Sequence, residues 1–192
     1  MKYGIEHVKE KLKDRLTTVH YEHCVRTAEA AARMARAFRI DERQAYLAGL
    51  LHDYARSMSA AQLISEAKKL GFRVNAVEAA FPYLLHARIG ARLVELDLDI
   101  KDKEIVSAIE NHTIGSTSMT KLDKIIYVAD MIEPGRHYEG LDALRRISLE
   151  DLDEVFERAY IHSLGYLVRS KKLIHPLTVE VWNKLIAKNN EK

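Results

Sequence analysis

Residues 49–56 read GLLHDYAR, two leucines running directly into an imidazole and a carboxylate. Around them Ala45, Ala48, Leu51 and Ala55 recur at three- and four-residue spacing, and Leu47, Leu50 and Tyr54 form a second apolar line alongside. That periodicity predicts an amphipathic helix from Asp41 to Met58, with His52 and Asp53 flanked by buried positions. Removing an unpaired carboxylate from water costs several kcal/mol, so such a group is expected to be paired or to bind a metal. Neighbouring helical residues point about 100° apart and bond each other poorly, yet they can converge on one ion. A His–Asp hydrogen bond inside a core is the plain alternative for this dipeptide taken alone.

The helical period extends outward in both directions, with no alternating β-branched stretch. A long helix is expected over Thr18–Phe38, with Val19, Val25, Ala28, Ala32 and Ala35 as its inner stripe. Asp41 with Gln44, Ser59 with Gln62 and Thr120 with Asp123 carry the spacing of reciprocal N-caps. Gly71 suits the left-handed residue that ends a helix. Further helices are expected after Pro82 through Leu96, from Asp102 toward His112, over KLDKIIYVADMI before Pro134, over Leu149–Lys171, and after Pro176, with GSTSM (115–119) as a loop. The fold class is all-α, a single-domain bundle of about eight to ten helices spanning residues 1–192.

Composition narrows the function. Apolar residues make up 47% and charged residues 30% of the 192, with only three prolines, which is ordinary globular usage. No apolar run approaches the ~20 residues that cross a bilayer, and the N-terminal segment MKYGIEHVKEKLKDR is charged at both signs rather than signal-like, so a cytoplasmic protein with no membrane partner is expected. A net charge of +2 without a basic block argues against nucleic acid and leaves a small polyphosphate open. The single cysteine, Cys24, excludes an internal disulfide and a thiolate metal cluster, so any metal must take nitrogen and oxygen ligands.

Polar groups interrupt apolar runs elsewhere too. Asp130 breaks IIYVADMI (125–132), although Asp123, seven residues earlier on the same face, allows a solvated stripe instead. His23 in HYEHCVRTA sits near an inner stripe. His23, His52, Asp53 and Asp130 together supply two imidazoles and two carboxylates from three helices, a donor set suited to Fe, Mn or Zn that leaves two positions of an octahedral ion open for hydrolytic chemistry. His86 in YLLHARIGA and His112 in AIENHT stand in similar settings, and as a pair they could ligate a second metal or hold phosphate. His7, His137 and His162 have polar neighbours and receive no role.

The order H…HD…D, reinforced by HYEHC, LLHDYAR, LLHARIGA, NHTIGS, LDKIIYVADMIEPGR and KLIHPLT, resembles the bacterial HD-domain symmetrical bis(5′-nucleosyl)-tetraphosphatases across nearly the whole chain. The resemblance implies an HD-domain bundle that hydrolyses diadenosine tetraphosphate to two ADP, a metal-bound hydroxide attacking an inner phosphorus. Iron is the implied metal, one ion or two, with manganese as an in vitro substitute. It also implies His23, His52, Asp53 and Asp130 as ligands, with His23 and Asp130 facing substrate as well, and catalysis by Asp53, His86 and His112. Arg56, His86, His112, Thr113 and Arg136 would contact phosphate. Leu173, Ile174, His175, Pro176, Leu177 and Thr178 would lie along the nucleotide, the C-terminal helices completing its site. Two positions depart from the family: Arg56 replaces a frequent lysine and keeps the charge, whereas His20 stands where arginine is expected. The expected partner is a dinucleoside polyphosphate or ADP, with a homodimer as one possible assembly. The rival readings are an HD phosphohydrolase acting on a nucleoside monophosphate or guanosine polyphosphate, and a non-catalytic nucleotide-binding helical protein.

Overall fold

Helix starts follow local capping chemistry. Ser59 with Gln62 and Thr120 with Asp123 form reciprocal boxes in which each side chain bonds the other's backbone N–H. Asp41 and Asp102 each accept two backbone N–H groups at the starts of their helices. Gln44 does not complete the box with Asp41: its amide donates to Asp102 Oδ2 at 2.8 Å and ties two helix starts together. The computed structural model describes residues 4–190. Among them it is all-α, with α1 (Ile5–Arg15), α2 (Thr18–Ala37), α3 (Glu42–Leu51), α4 (Ala60–Lys69), α5 (Ala76–Ala80), a 3-10 turn (Pro82–Leu85), α6 (His86–Leu98), α7 (Lys103–Asn111), α8 (Lys121–Ile132), α9 (Leu141–Ile147), α10 (Leu152–Arg169) and α11 (Pro176–Asn190). The eleven helices exceed the expected eight to ten because α5 and α9 are too short to leave a periodic signature. No helix among the described residues is long and apolar enough to cross a membrane.

Three further expectations are corrected. The helix through GLLHDYAR stops at Leu51, and residues 52–57 continue as tight turns held by bonds such as Tyr54 N–H to Leu51 O and Arg56 N–H to Asp53 O. The His52 ring explains the stop, because its Nδ1–H donates to Gly49 O at 2.7 Å and draws the last turn tight. Val19 is 71% exposed, so it is not part of the inner face of α2, which is instead built from His23, Cys24, Thr27, Ala30, Ala31 and Met34 together with Ala28 and Ala35. The segment after Pro82 begins as a 3-10 turn and becomes α-helical only at His86.

At the centre α2 packs against α3 and α8, and α7 packs against α3, α6 and α8. The α2–α3 crossing is close because Gly49 has no side chain: a Cβ there would lie 2.8 Å from Ala28 Cα and 3.2 Å from the Thr27 carbonyl. That proximity brings His23 of α2 and His52 at the end of α3 side by side. On the far side of α8, Tyr160 of α10 donates its hydroxyl to Ile114 O (2.9 Å) and Thr178 O (3.2 Å), joining the loop after α7 to the start of α11.

Candidate metal and phosphate site

Four imidazoles converge beneath the mouth of the bundle, and each has one nitrogen committed to the scaffold. His52 Nδ1–H donates to Gly49 O and His112 Nδ1–H to Ile109 O, each at 2.7 Å; His86 Nδ1–H donates to Tyr83 O. His23 Nδ1–H donates to the carboxylate of Glu133 at 3.1 Å. In a neutral ring this leaves every Nε2 as a lone pair pointing into the site.

These lone pairs are close together. His23 Nε2 lies 3.2 Å from His52 Nε2 and 3.0 Å from Asp130 Oδ1, while His86 Nε2 lies 3.1 Å from His112 Nε2 and 3.0 Å from Asp53 Oδ1. Lone pairs at such distances repel unless a proton or a cation stands among them. Ligands at right angles around an ion with ~2.1 Å bonds are separated by about 3.0 Å, so the donor set fits a first-row metal ion. Asp53 stands between the two histidine pairs: Oδ2 is 3.6 Å from His52 Nε2 and 3.9 Å from His23 Nε2, and Oδ1 faces His86 and, at 3.6 Å, His112.

The electrostatics follow from burial and proximity. His52 is fully buried, and burial first, with nearby His112 and His23, pulls it down to about 4 against the attraction of Asp53 and Asp130. Burial also pulls on His23, but hydrogen bonds to Asp130 and Glu133 outweigh it and raise the group above its ordinary value. A metal therefore competes with a proton for His23 Nε2. For Asp53 and Asp130 burial is again the largest influence and acts upward. His52, His112 and His86 reverse it at Asp53, and His23, His52 and Arg136 reverse it at Asp130, leaving both carboxyls well below their usual range.

Glu133 and Arg26 were not singled out from the sequence. Glu133 is buried; its Oε1 accepts from His23, and its Oε2 accepts from Arg26 Nε (2.6 Å) and Gly135 N–H (2.5 Å). A carboxylate at the C-terminal end of α8 opposes the helix dipole, and that mismatch between Ile132 and Pro134 was the available signal. The last carbonyls of α8 are satisfied by Arg145 and by the Tyr138 hydroxyl. Asp123, considered as part of a solvated stripe, is instead fully buried and accepts from Ser107, Asn111 and Thr120.

The remaining expected residues distribute around two connected spaces. A central cavity of about 190 Å³ is walled by Asp53, Arg56, His86, His112, Thr113, Tyr127, Asp130, Met131, Arg136 and Ser163. Arg136 donates to both the main-chain and side-chain oxygens of Asp130, and Arg56 Nε stands 3.9 Å from Asp53 Oδ2. An annex of about 470 Å³ shares Thr113, Met131, Arg136 and Ser163 and continues along α10 and the C-terminal segment. Leu173, His175 and Thr178 line it, whereas Ile174, Pro176 and Leu177 do not; Leu177 packs against the core. His162, given no role from the sequence, also lines the annex, its ring 4.7 Å from that of Tyr138. His20 lies outside the ligand group and hydrogen-bonds Ser57 at 3.2 Å, tying α2 to the turn after Arg56. A separate depression of about 620 Å³, lined by Asp41, Gln44, Asp102 and Ile105 among others, contains none of the histidines.

Residues 20–135 match the family model of the HD domain. Over 179 residues, 92% of this chain and 94% of the relative, the sequence is 32% identical to a Bacillus subtilis (strain 168) protein named symmetrical bis(5′-nucleosyl)-tetraphosphatase. A Mycoplasma genitalium (strain ATCC 33530 / DSM 19775 / NCTC 10195 / G37) protein named probable nicotinate-nucleotide adenylyltransferase/Ap4A hydrolase is 31% identical over 81% of this chain and 44% of its own length. A crystal structure from Clostridium acetobutylicum, described as a predicted HD superfamily hydrolase involved in NAD metabolism, matches with a TM-score of 0.92 at 31% identity, covering 97% of this chain and 98% of that one.

Proposed function

The chain belongs to the HD domain family, and from that premise we propose that this hydrolase cleaves diadenosine tetraphosphate at its central bridge to give two ADP. The observation that carries the reading is Asp53, held between two histidine pairs and flanked by Arg56, in a cavity whose other cation, Arg136, leads into an annex large enough for a nucleoside. An iron ion held by His23, His52, Asp53 and Asp130 would activate a water and polarise a phosphoryl oxygen.

The protein's own groups supply the rest. Arg56 and Arg136 neutralise charge on the equatorial and leaving oxygens of the attacked inner phosphorus. The bond between that phosphorus and the central bridging oxygen breaks; water supplies the new P–O bond, and the departing half leaves as ADP. His86 and His112 face the same space through Nε2, with Thr113 Oγ1 3.3 and 3.0 Å away; because Nδ1–H of each is held by a carbonyl, one of them acts as general acid toward the departing oxygen only when it carries a second proton, on Nε2. The geometry of His86, His112 and Asp53 Oδ1 equally suits a second ion, a reading that metal content of two rather than one per chain would select. Leu173, His175 and Thr178 form the annex wall along which one adenosine would lie.

The test is product analysis with iron- or manganese-loaded protein. ADP as sole nucleotide product supports the proposal; ATP plus AMP, or no turnover, sinks it. A parallel panel of nucleoside monophosphates, guanosine polyphosphates and NAD, the last suggested by the description of the Clostridium acetobutylicum structure, separates the rival substrates. Little metal and no turnover on any substrate would favour a binding protein.

A further inference from the structure

A symmetrically cleaved dinucleotide has an adenosine diphosphate arm on each side of the breaking bond, so recognition of both arms requires two nucleoside platforms. The annex accounts for one. Thr113, Met131, Arg136 and Ser163 wall both the central cavity and the annex, whereas Arg56 and His86 wall the central cavity alone. Next to Arg56 stands Tyr83, which lines neither space itself and precedes Leu84 of the annex wall. Its ring centroid lies 5.9 Å from the Arg56 guanidinium carbon, and its residue is 50% exposed.

Although its ring faces solvent, the residue's backbone is held firmly. Tyr83 sits in the 3-10 turn that follows Pro82, and its carbonyl accepts the Nδ1–H of His86, the bond that orients that ring toward the site. A solvent-facing ring carried on a held backbone beside the polyanion site, next to a cation, combines a stacking surface for a base with a grip for the adjoining phosphate. We propose that Tyr83 and Arg56 form the second nucleoside subsite: Arg56 contacts the phosphates of the arm that does not enter the annex, and the Tyr83 ring stacks on its purine. This proposal rests on the tetraphosphatase reading above.

The experiment compares diadenosine tetraphosphate with adenosine 5′-tetraphosphate, which has the same phosphate chain and only one adenosine, on metal-loaded wild type, Y83A and Y83W. Loss of one stacked base should lower kcat/KM of Y83A on the diadenosine substrate about tenfold, mainly through KM, and change the single-adenosine substrate by no more than about twofold. Y83W should restore the loss, because the subsite requires an aromatic face rather than a hydroxyl. An unchanged rate of Y83A on the diadenosine substrate, or an equal fall on both substrates, overturns the subsite. If the wild type cleaves neither tetraphosphate, the tetraphosphatase reading fails and this inference fails with it; cleavage that is insensitive to Y83A removes the subsite alone.

Discussion

Replacing Glu133 with glutamine changes a single atom, and the geometry makes that change costly. The carboxylate accepts four N–H bonds, from His23 Nδ1, Arg26 Nε and Nη2, and Gly135 N, while only 2% of the residue is exposed. A glutamine has one acceptor oxygen and one NH2. With the oxygen toward His23, the NH2 meets the donors of Arg26 and Gly135. With the amide turned round, the NH2 meets His23 Nδ1 and forces that proton to Nε2, the atom that faces His52 and Asp130. Either way the His23 lone pair is poorly presented to an ion. Partners of this kind, one bond removed from the metal, typically contribute 10–100-fold to metal affinity, about 1.4–2.7 kcal/mol. Loss of the pair with Arg26, a third of whose side chain is exposed, should add about 1–2 kcal/mol of fold destabilisation after allowance for solvent screening. Chelator competition followed by elemental analysis measures the first quantity, and urea unfolding of metal-free protein the second. Arg26→Ala is the control, since it keeps the carboxylate on His23 and should weaken metal binding less than tenfold. Equal metal affinity in wild type and Glu133→Gln, or equal losses in Glu133→Gln and Arg26→Ala, would refute the orienting role.

Other perturbations test neighbouring parts of the site. Because burial holds His52 near 4 in the fold, below its ordinary 6.5, the unfolded chain takes up a proton there first as pH falls. Metal-free protein should therefore lose stability from pH 6.5 downward, by up to about 3 kcal/mol by pH 4, and urea titrations between pH 6.5 and 5 read this before the depressed carboxylates titrate. His23, raised in the fold, contributes with the opposite sign, its share being lost as pH rises through its folded value. Gly49→Ala should destabilise by about 2 kcal/mol in urea unfolding, because the new Cβ would lie 2.8 Å from Ala28 Cα and backbone must move to admit it. Asp53→Ala should retain helical circular dichroism but lose metal and at least about a thousandfold in turnover; a folded variant that keeps both would show the site to be misassigned.

What was legible in the sequence is mostly what is local. The Ser59–Gln62 and Thr120–Asp123 caps could be read because each needs only four consecutive residues, and the helices they start lie where periodicity put them. The partner of Gln44 could not, because Asp102 is 58 residues away. In α2 the abundance of alanine blurred the helix phase, so Val19 was placed inward when the buried line passes through His23, Thr27, Ala30 and Met34. His23, His52, Asp53 and Asp130 were conspicuous as polar residues among apolar neighbours, and the fold brings all four together. Glu133 lacked that contrast because Pro134 and Gly135 follow it, so it resembled an ordinary exposed helix end rather than a buried acceptor.

The corrected end of α3 clarifies how adjacent residues can serve one site. On a continuous helix His52 and Asp53 would diverge by about 100°. The helix stops at Leu51, and in the tight turn that follows Asp53 Oδ2 comes within 3.6 Å of His52 Nε2 while Oδ1 turns to His86 on α6 and His112 after α7. The same turn carries Arg56 to the cavity wall, and His20 and Thr17 hold its far end through Ser57. Leu50, Leu51, Tyr54 and Ala55, all buried, prevent the turn from unwinding. Conformational freedom at Asp53 would loosen both histidine pairs at once. A close-packed Gly49–Ala28 crossing behind the turn and apolar anchors on either side are therefore requirements of the site as much as of the fold.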